Sequence, residues 1–506
     1  MQQIRDPLER GSVTIYMSLI LAVLLSLFIS LIESARVRAV WLVADCGVDL
    51  AVYSVFAEYN RKLFEEYDLL FVDSSYGTAE TSDRLVKQHL QTYINENLSA
   101  GRKGSVIATD LTQTFLEQLD IDQISYATDE DCGIFERQAT DFIKQKYGVA
   151  YIQAMQREFK KADENGLFTR DVASERESNE SELSRIREEG IETGEVDEEG
   201  NPIKEEIEFE NPADNVNAGR ALGILSLIDP PDGVSQKGVK ENTLLSHRDI
   251  NKKGDGYCDR NGCTLTDKLW FELYIKEHCG CYTNRRKEGV LEYQMEYIIA
   301  GKDNDTDNLK SVVNRLLMIR EAANVAYLFS DPAKTAEAET LALTIATAAG
   351  APLLTEPLKI SLMFAWAYAE SVWDVRCLLS GRKVSVIKTA VDWHFSLEGM
   401  MGYLTEGAAA EGVSAAGDLS EDSDDGLSGI AEGKLGYEEY LMLLLTAEGE
   451  KKTVKRMMDI AEMDVRSHSG DYGFCLDDCF EHMKIEAIVS GKRGGTRKVT
   501  RDFSYT

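Results

Sequence analysis

The sequence predicts a mainly α-helical protein with minor β-structure, an α+β chain. One long N-terminal transmembrane helix continues into a helical body, and the C-terminus forms a β-hairpin. Three observations lead there. A run without a single charge extends from Gly11 to Ile32. Apolar residues then recur at steps of three and four through most of the remaining chain, which is the spacing of one helix face. Finally, HMKIEAIVSGKRGGTRKVTRDFSY near the end alternates on both sides of a Gly-Gly pair, a hairpin signal.

The apolar run GSVTIYMSLILAVLLSLFISLI covers 22 residues. As a helix it is about 33 Å long, close to the thickness of a bilayer's hydrocarbon core. Leu, Ile, Val and Phe fill more than half of it, each favouring insertion by roughly 0.3–0.6 kcal/mol, and they outweigh the scattered serines. A core helix of a water-soluble domain would carry a polar stripe, which this run lacks. A cleaved signal would have a shorter apolar core followed by a small-x-small site, whereas Glu33-Ser34-Ala35-Arg36 stands here. The expected partner is therefore the lipid bilayer, through residues 11–33. Beyond it Val37, Val40, Trp41, Ala44, Val48, Ala51, Val52, Val55, Phe56, Tyr59 and Leu63 form one apolar stripe. It predicts that the same helix runs on to about Glu66, with Gly47 its one weak point. Arg5 and Arg10 before the span balance Arg36 and Arg38 after it, so the positive charges leave orientation open. A large acidic body on an N-terminal anchor is expected outside the cytoplasmic membrane, as a single-pass protein.

Composition bounds the rest. The chain has 506 residues, 43% of them hydrophobic, enough for a sizeable core. Only 8 prolines occur, which suits helices. The net charge of −32 repels phosphate backbones, so no nucleic-acid partner is expected. The densest basic stretches, NRRK (Asn284–Lys287) and SGKRGGTRK (Ser490–Lys498), are read as solvated turns.

Eight segments are expected along the chain. Residues 1–10 are a short leading segment, 11–33 the span and 34–66 its helical extension. Residues 67–170 begin the globular body with a short buried strand at Tyr67–Gly77 and helices over Thr81–Asn97, Asp110–Leu119 and Ile134–Asp163. Residues 171–217 are dense in glutamate and poor in aromatics, and predict a flexible or partly helical acidic linker. Residues 218–405 form a helical core block, with helices over Thr266–His278, Val290–Ala300, Thr306–Phe329, Ala336–Ala348 and Pro357–Leu379. Leu341–Thr355 and Ile360–Ala369 are apolar but too short to cross a bilayer and are interrupted by Pro352, Glu356, Pro357 and Lys359, so they are read as core helices. Residues 406–434 are a mobile acidic loop. Residues 435–506 hold two more helices, Tyr437–Thr446 and Thr453–Val465, and the hairpin. That hairpin is expected to pair with the strand near Tyr67–Asp73 and so return the chain's end to the root of the long helix.

Little in the sequence points to chemistry. The six histidines, His89, His247, His278, His394, His468 and His482, form no local metal motif, and no nucleophile elbow, phosphate loop or dinucleotide fingerprint is present. His394 lies near Asp392 and Glu398 in DWHFSLEG and is read as structural. Asp303, Asp305 and Asp307 alternate like a calcium loop, but Asn308 and Asn314 stand where glycine and glutamate are needed. The same acids suit a helix start capped by Asp305 or Thr306. No catalytic residue, cofactor or metal is assigned. Of nine cysteines, Cys258 with Cys263, Cys279 with Cys281, and Cys475 with Cys479 are candidate local disulfides. A zinc site of Cys258, Cys263, Cys279 and Cys281 departs from the usual knuckle spacing. Cys46, Cys132 and Cys377 are isolated.

Several stretches carry a family resemblance. GSVTIYMSLILAVLLSLFISLIESARVRA, DLAVYSVFAEYNRKLFEEYDLLFVDSSYG (Asp49–Gly77), EYIIAGKDNDTDNLKSVVNRLLMIREAANVAYLFSD (Glu296–Asp331) and the final VTRDFSYT resemble the DUF5702 family of uncharacterised clostridial single-span proteins. More distantly, Gly11 before an uncharged span with Glu33 at its far end resembles TadE/TadG-like pseudopilins of tight-adherence pilus systems. That resemblance implies a processing site at Gly11 and Ser12. The glutamate expected fifth after such a cut is Tyr16 here, which speaks for a stationary anchor rather than a filament subunit. The resemblance implies an accessory of a pilus-like or secretion-like envelope machine, with other envelope or pilus-assembly proteins as partners. The alternatives are a membrane-anchored surface hydrolase and a ligand-binding envelope sensor.

Overall fold

The computed structural model describes residues 7–78, 83–99, 112–196, 202–205, 207–220, 233–240, 244–250, 252–254, 264–403, 430 and 433–505. The loop expected at 406–434 lies mostly outside them, as do Cys258 and Cys263. The chain divides into two units. The first joins Met1–Gln138, Asp249–Asp259 and Val465–Thr506, and the second joins Ala139–Arg248 and Arg260–Asp464.

The first unit is built on α1 (Pro7–Phe56), followed by α2 (Arg61–Tyr67), β1 (Val72–Asp73), α3 (Arg84–Ser99) and β2 (Thr114–Tyr126). The long helix stops at Phe56 rather than near Glu66. Asn60 is the reason: its side chain accepts from the Leu63 N–H at 3.0 Å, starting a new helix, while its own N–H donates to the Phe71 carbonyl. Two further strands from the C-terminal segment complete the unit.

The second unit begins within α4 (Asp129–Lys146), which is regular only after Cys132, since Glu130, Asp131 and Cys132 have positive φ of 54°, 59° and 71°. Then come α5 (Val149–Glu164), α6 (Val172–Glu189), a small hairpin β3 (Ile191–Val196) and β4 (Pro202–Glu205), α7 (Ala213–Arg220), α8 (Leu265–His278), α9 (Gln294–Ala300), α10 (Asp305–Ser330), α11 (Pro332–Ala348), α12 (Thr355–Leu379), β5 (Val384–Ser385), α13 (Leu397–Tyr403), β6 (Lys434–Leu435), α14 (Tyr437–Ala447) and α15 (Glu450–Ser469). Nearly all of α12 is buried, Leu362 to Val372 without a break, as suits a helix that is apolar on every side. It packs with Ala322, Val325 and Leu328 of α10 and Ala338 of α11. In the acidic stretch expected to be a flexible or partly helical linker, the described residues include α6, and Leu183 and Ile186 of α6 and Ile207 pack with Ala342, Leu354 and Leu358. Its few apolar residues share one face, and the glutamates occupy the exposed remainder.

The last two strands are β7 (Cys479–Gly491) and β8 (Thr496–Ser504). β7 is the centre of the first unit's sheet. It pairs antiparallel with β2 from Thr114↔Gly491 to Tyr126↔Phe480, with β8 from His482↔Ser504 to Ser490↔Thr496, and with β1 at Val72↔Phe480. The expected return of the C-terminal hairpin to the strand near Tyr67–Asp73 is thus present. One face of the sheet buries Met483, Ile485, Ala487, Val489 and Val499 against Ala44, Val48, Ala51, Val52, Val55 and Phe56 of α1 and Val86, Leu90, Ile94 and Leu98 of α3. Of the helix expected at Asp110–Leu119, Thr114–Leu119 is instead the start of β2, and residues 110–111 lie outside the described ones. Register shifts between Leu116 and Gln118 and between Ile121 and Gln123 add residues to the strand. Its inward residues Leu116, Leu119, Ile121, Ile124 and Tyr126 therefore fall at mixed steps of three and two, which imitates a helix.

Candidate functional site at the root of the apolar helix

α1 changes character along its length. From Val13 to Ile32 its large apolar side chains are exposed, Phe28 by 59% and Ile32 by 65%. This is the one described helix long and apolar enough to cross a membrane. Its serines are accommodated locally: the hydroxyls of Ser18 and Ser26 donate to the carbonyls of Ile15 and Val23, each at 2.8 Å. Gly11 and Ser12 lie on the same helix; their side chains are outside the described residues. From Val40 onward one face is buried in the first unit while Leu42, Leu50 and Tyr53 stay exposed on the other.

Between these halves the C-terminal hairpin meets the helix. Its turn needs left-handed backbone at two successive positions, and Gly494 (φ 100°) and Gly495 (φ 89°) supply it. The Gly491 N–H closes the turn on the Gly495 carbonyl at 2.9 Å. A side chain at Gly491 would come within 2.9 Å of Val40, so glycine lets the strand lie directly on α1. Arg36 pairs with Glu33 at 2.8 Å and donates to the Arg493 carbonyl at 2.5 Å. Further along, Arg497 lies over Trp41 and 3.2 Å from Asp45, and Arg501 bonds Asp49. The neighbouring Asp49 holds the Arg501 guanidinium above its usual range. The root of the apolar half is therefore clamped from the opposite end of the chain.

A cluster of buried charges lies in the second unit, and no sequence motif announces it. Arg320 of α10 is fully buried and donates to Asp374 Oδ2 of α12 through Nε (3.1 Å) and Nη2 (3.0 Å), with further bonds to the Ser385 and Val386 carbonyls. Lys388 Nζ stands 2.7 Å from Asp374 Oδ1 and also bonds Glu370. Glu370 in turn accepts the backbone N–H groups of His394 (2.9 Å) and Phe395 (3.0 Å). Two cations and two anions thus neutralise one another and fix α10, α12 and the segment after β5. Their only trace in the sequence is Glu370 and Asp374, four apart in the otherwise apolar MFAWAYAESVWDV.

The remaining candidate residues are dispersed. His394 stacks flat on Trp373, centroids 3.9 Å apart, and burial lowers its pKa. Asp392 caps Thr389 instead of addressing that imidazole. The calcium-like acids start α10 with Asn304 as the cap, accepting from the Asp307 N–H at 2.8 Å, one or two residues before the expected Asp305 or Thr306. Asp305 is free of that duty because its buried carboxylate takes Ser235 Oγ and the N–H groups of Glu292 and Tyr293. Cys279 and Cys281 are free thiols in the structure. Cys279 Sγ meets Met457 Sδ at 3.4 Å, Cys281 Sγ meets Thr283 Oγ1 at 3.3 Å, and burial pushes both thiols well up. Arg466 donates to Cys475 Sγ at 3.3 Å. Glu296 is fully buried; one oxygen accepts from the Tyr282 N–H and the Tyr437 hydroxyl, both at 2.8 Å, the other has no partner, and burial pushes its pKa up to about 7. Among the described residues no group of three or more His, Cys, Asp or Glu is placed to hold a metal.

The profile of DUF5702, a family of unknown function, matches residues 202–491. No curated protein and no solved structure matches the chain.

Proposed function

The chain belongs to the DUF5702 family, and we propose that it is a single-pass, membrane-anchored protein whose role is structural or in protein interaction, its body lying outside the cytoplasmic membrane. The observation that carries this reading is the asymmetry of α1. Its first half leaves about twenty residues of almost wholly apolar surface, Val13 to Ile32, without cover. Its second half is built into a sheet, with Val40, Ala44 and Val48 fully buried. A patch of that size is unfavourable in water and favourable in hydrocarbon. A segment that continues unbroken into a folded core is suited to remain as an anchor rather than be removed.

Within that reading, the chain acts as an accessory of a pilus-like or secretion-like envelope machine, with other envelope proteins as partners. The support is the N-terminal similarity to pseudopilin-type anchors; Tyr16 in place of the expected glutamate favours a stationary component. Crosslinking in native membranes followed by co-purification tests this role: recovery of pilus or secretion assembly proteins supports it, and recovery of the chain alone speaks against it. Protease added to intact, wall-stripped cells tests the sidedness. Cleavage near Glu188–Gly200 places the body outside, and full protection places it inside.

A further inference from the structure

We propose that the hairpin turn and the first turns of α1 beyond the apolar run form a basic collar that binds the headgroups of anionic phospholipids. The proposal rests on the anchor reading above and names the lipid class that the anchor meets.

Position comes first. Arg36 lies four residues past Ile32, a rise of about 6 Å along the helix. The polar headgroup layer on each side of a bilayer is about 5–8 Å deep, so Arg36 sits at headgroup depth when the apolar run spans the hydrocarbon. The hydrogen bond from Arg36 to the Arg493 carbonyl holds the hairpin turn at that same level. The backbone of Gly495 lies against Val37, which fixes the turn on the helix from a second side.

Charge comes second. The whole chain carries −32, which by itself would repel an anionic membrane. At this level the sign is reversed. From Ser490 to Lys498 there are four bases and no acid beside Arg501 further on, and Arg36 and Arg38 add to them from the helix. Glu33, the one acid nearby on α1, is neutralised by Arg36, and Glu117 of β2, which accepts from the Ser490 hydroxyl, is outnumbered by the bases of the turn. Arg497 and Lys498 are directed away to Asp45 and Glu486. That leaves Lys492 and Arg493 exposed at headgroup level, with Arg38 exposed about 3 Å further along the helix than Arg36. Exposed bases at this level attract phosphatidylglycerol-type headgroups.

The test uses the full-length protein in a neutral detergent, titrated with phosphatidylglycerol or with phosphatidylcholine of the same acyl chains, bound lipid being read by native mass spectrometry. The expected result is a clear preference for phosphatidylglycerol. That preference falls by on the order of tenfold or more in Lys492→Gln with Arg493→Gln, a pair that leaves Gly494 and Gly495 and hence the turn intact. Equal binding of the two lipids by the unaltered protein overturns the collar while leaving the anchor standing. An unchanged preference in the double variant overturns it as well. Retention of neither lipid overturns the collar too, whereas the anchor reading fails only if the chain leaves the membrane fraction. Circular dichroism of the variant, matching that of the unaltered protein, assigns the loss to charge rather than to unfolding.

Discussion

The guanidinium of Arg36, just beyond the apolar run of α1, donates to the carbonyl of Arg493 in the turn of the last hairpin. Residues 457 positions apart in sequence therefore meet at the place where the helix stops being apolar all round and gains a buried face. The sheet and the helix depend on each other there: without β8, Val40 and Ala44 lose part of their cover, and without α1 the inner face of the sheet keeps only the cover of α3.

This dependence predicts the effect of altering the turn. Gly494→Val with Gly495→Val forces β-branched residues into φ of 100° and 89°. Strain of this kind costs about 1–3 kcal/mol per residue. Limited proteolysis of the double variant is expected to clip the C-terminal strand well before α12. Cleavage of α12 first, or a pattern like that of the unaltered protein, would mean that the turn tolerates side chains.

The buried charges of the second unit make a different prediction. Arg320→Met leaves Asp374 buried with Lys388 but without its guanidinium, and breaking a buried pair in this way costs roughly 3–5 kcal/mol. Adding Asp374→Leu removes the orphaned carboxylate, yet leaves Lys388 only Glu370. Urea denaturation of the two single variants and the double variant is expected to show strong coupling, with the double variant less destabilised than the sum. Additive losses would mean that the cluster is held by something other than this pair.

Glu296 predicts a pH dependence. Burial raises its folded value from 4.5 to about 7, against the opposing bonds from the Tyr282 N–H and the Tyr437 hydroxyl and with Asp305 adding to the rise. The folded chain therefore holds a proton between about 4.5 and about 7 that the unfolded chain has lost. The contribution of Glu296 to stability is greatest below that window and falls as pH rises through it, by up to about 3 kcal/mol, then levels off. Glu296→Gln resembles the protonated form and is expected to flatten this part of the profile. An identical pH profile in the variant would remove Glu296 as its source.

How much of the molecule is legible in the sequence depends on the range of the interactions concerned. The apolar half of α1, the stripe beyond it, the helices over Thr266–His278 and Pro357–Leu379, and the hairpin around Gly494 and Gly495 each announce themselves by local period or local turn chemistry. The end of α1 is hidden because the apolar spacing runs on through Tyr59 and Leu63, while a single side chain, Asn60, restarts the helix. The strand β2 resembles a helix because its bulges shift the inward residues off strict alternation. The acidic stretch reads as a linker by average composition, yet a few residues, Leu183, Ile186 and Ile207, are enough to seat it. The cluster of Arg320, Glu370, Asp374 and Lys388 joins three separate segments, so no window of sequence contains it. The basic turn Ser490–Lys498 is visible as charge and gains meaning only once the fold sets it beside Arg36.

The central claim is that the first half of α1 stays in a membrane. The most direct measurement is membrane fractionation of Leu24→Arg with Leu25→Arg beside the unaltered protein, after alkaline carbonate extraction. Each arginine at the middle of the span opposes insertion by roughly 2.5–3.5 kcal/mol. The account predicts that the unaltered chain remains in the pellet and the variant appears in the soluble fraction or is degraded. A variant that pellets as fully as the unaltered chain would contradict it.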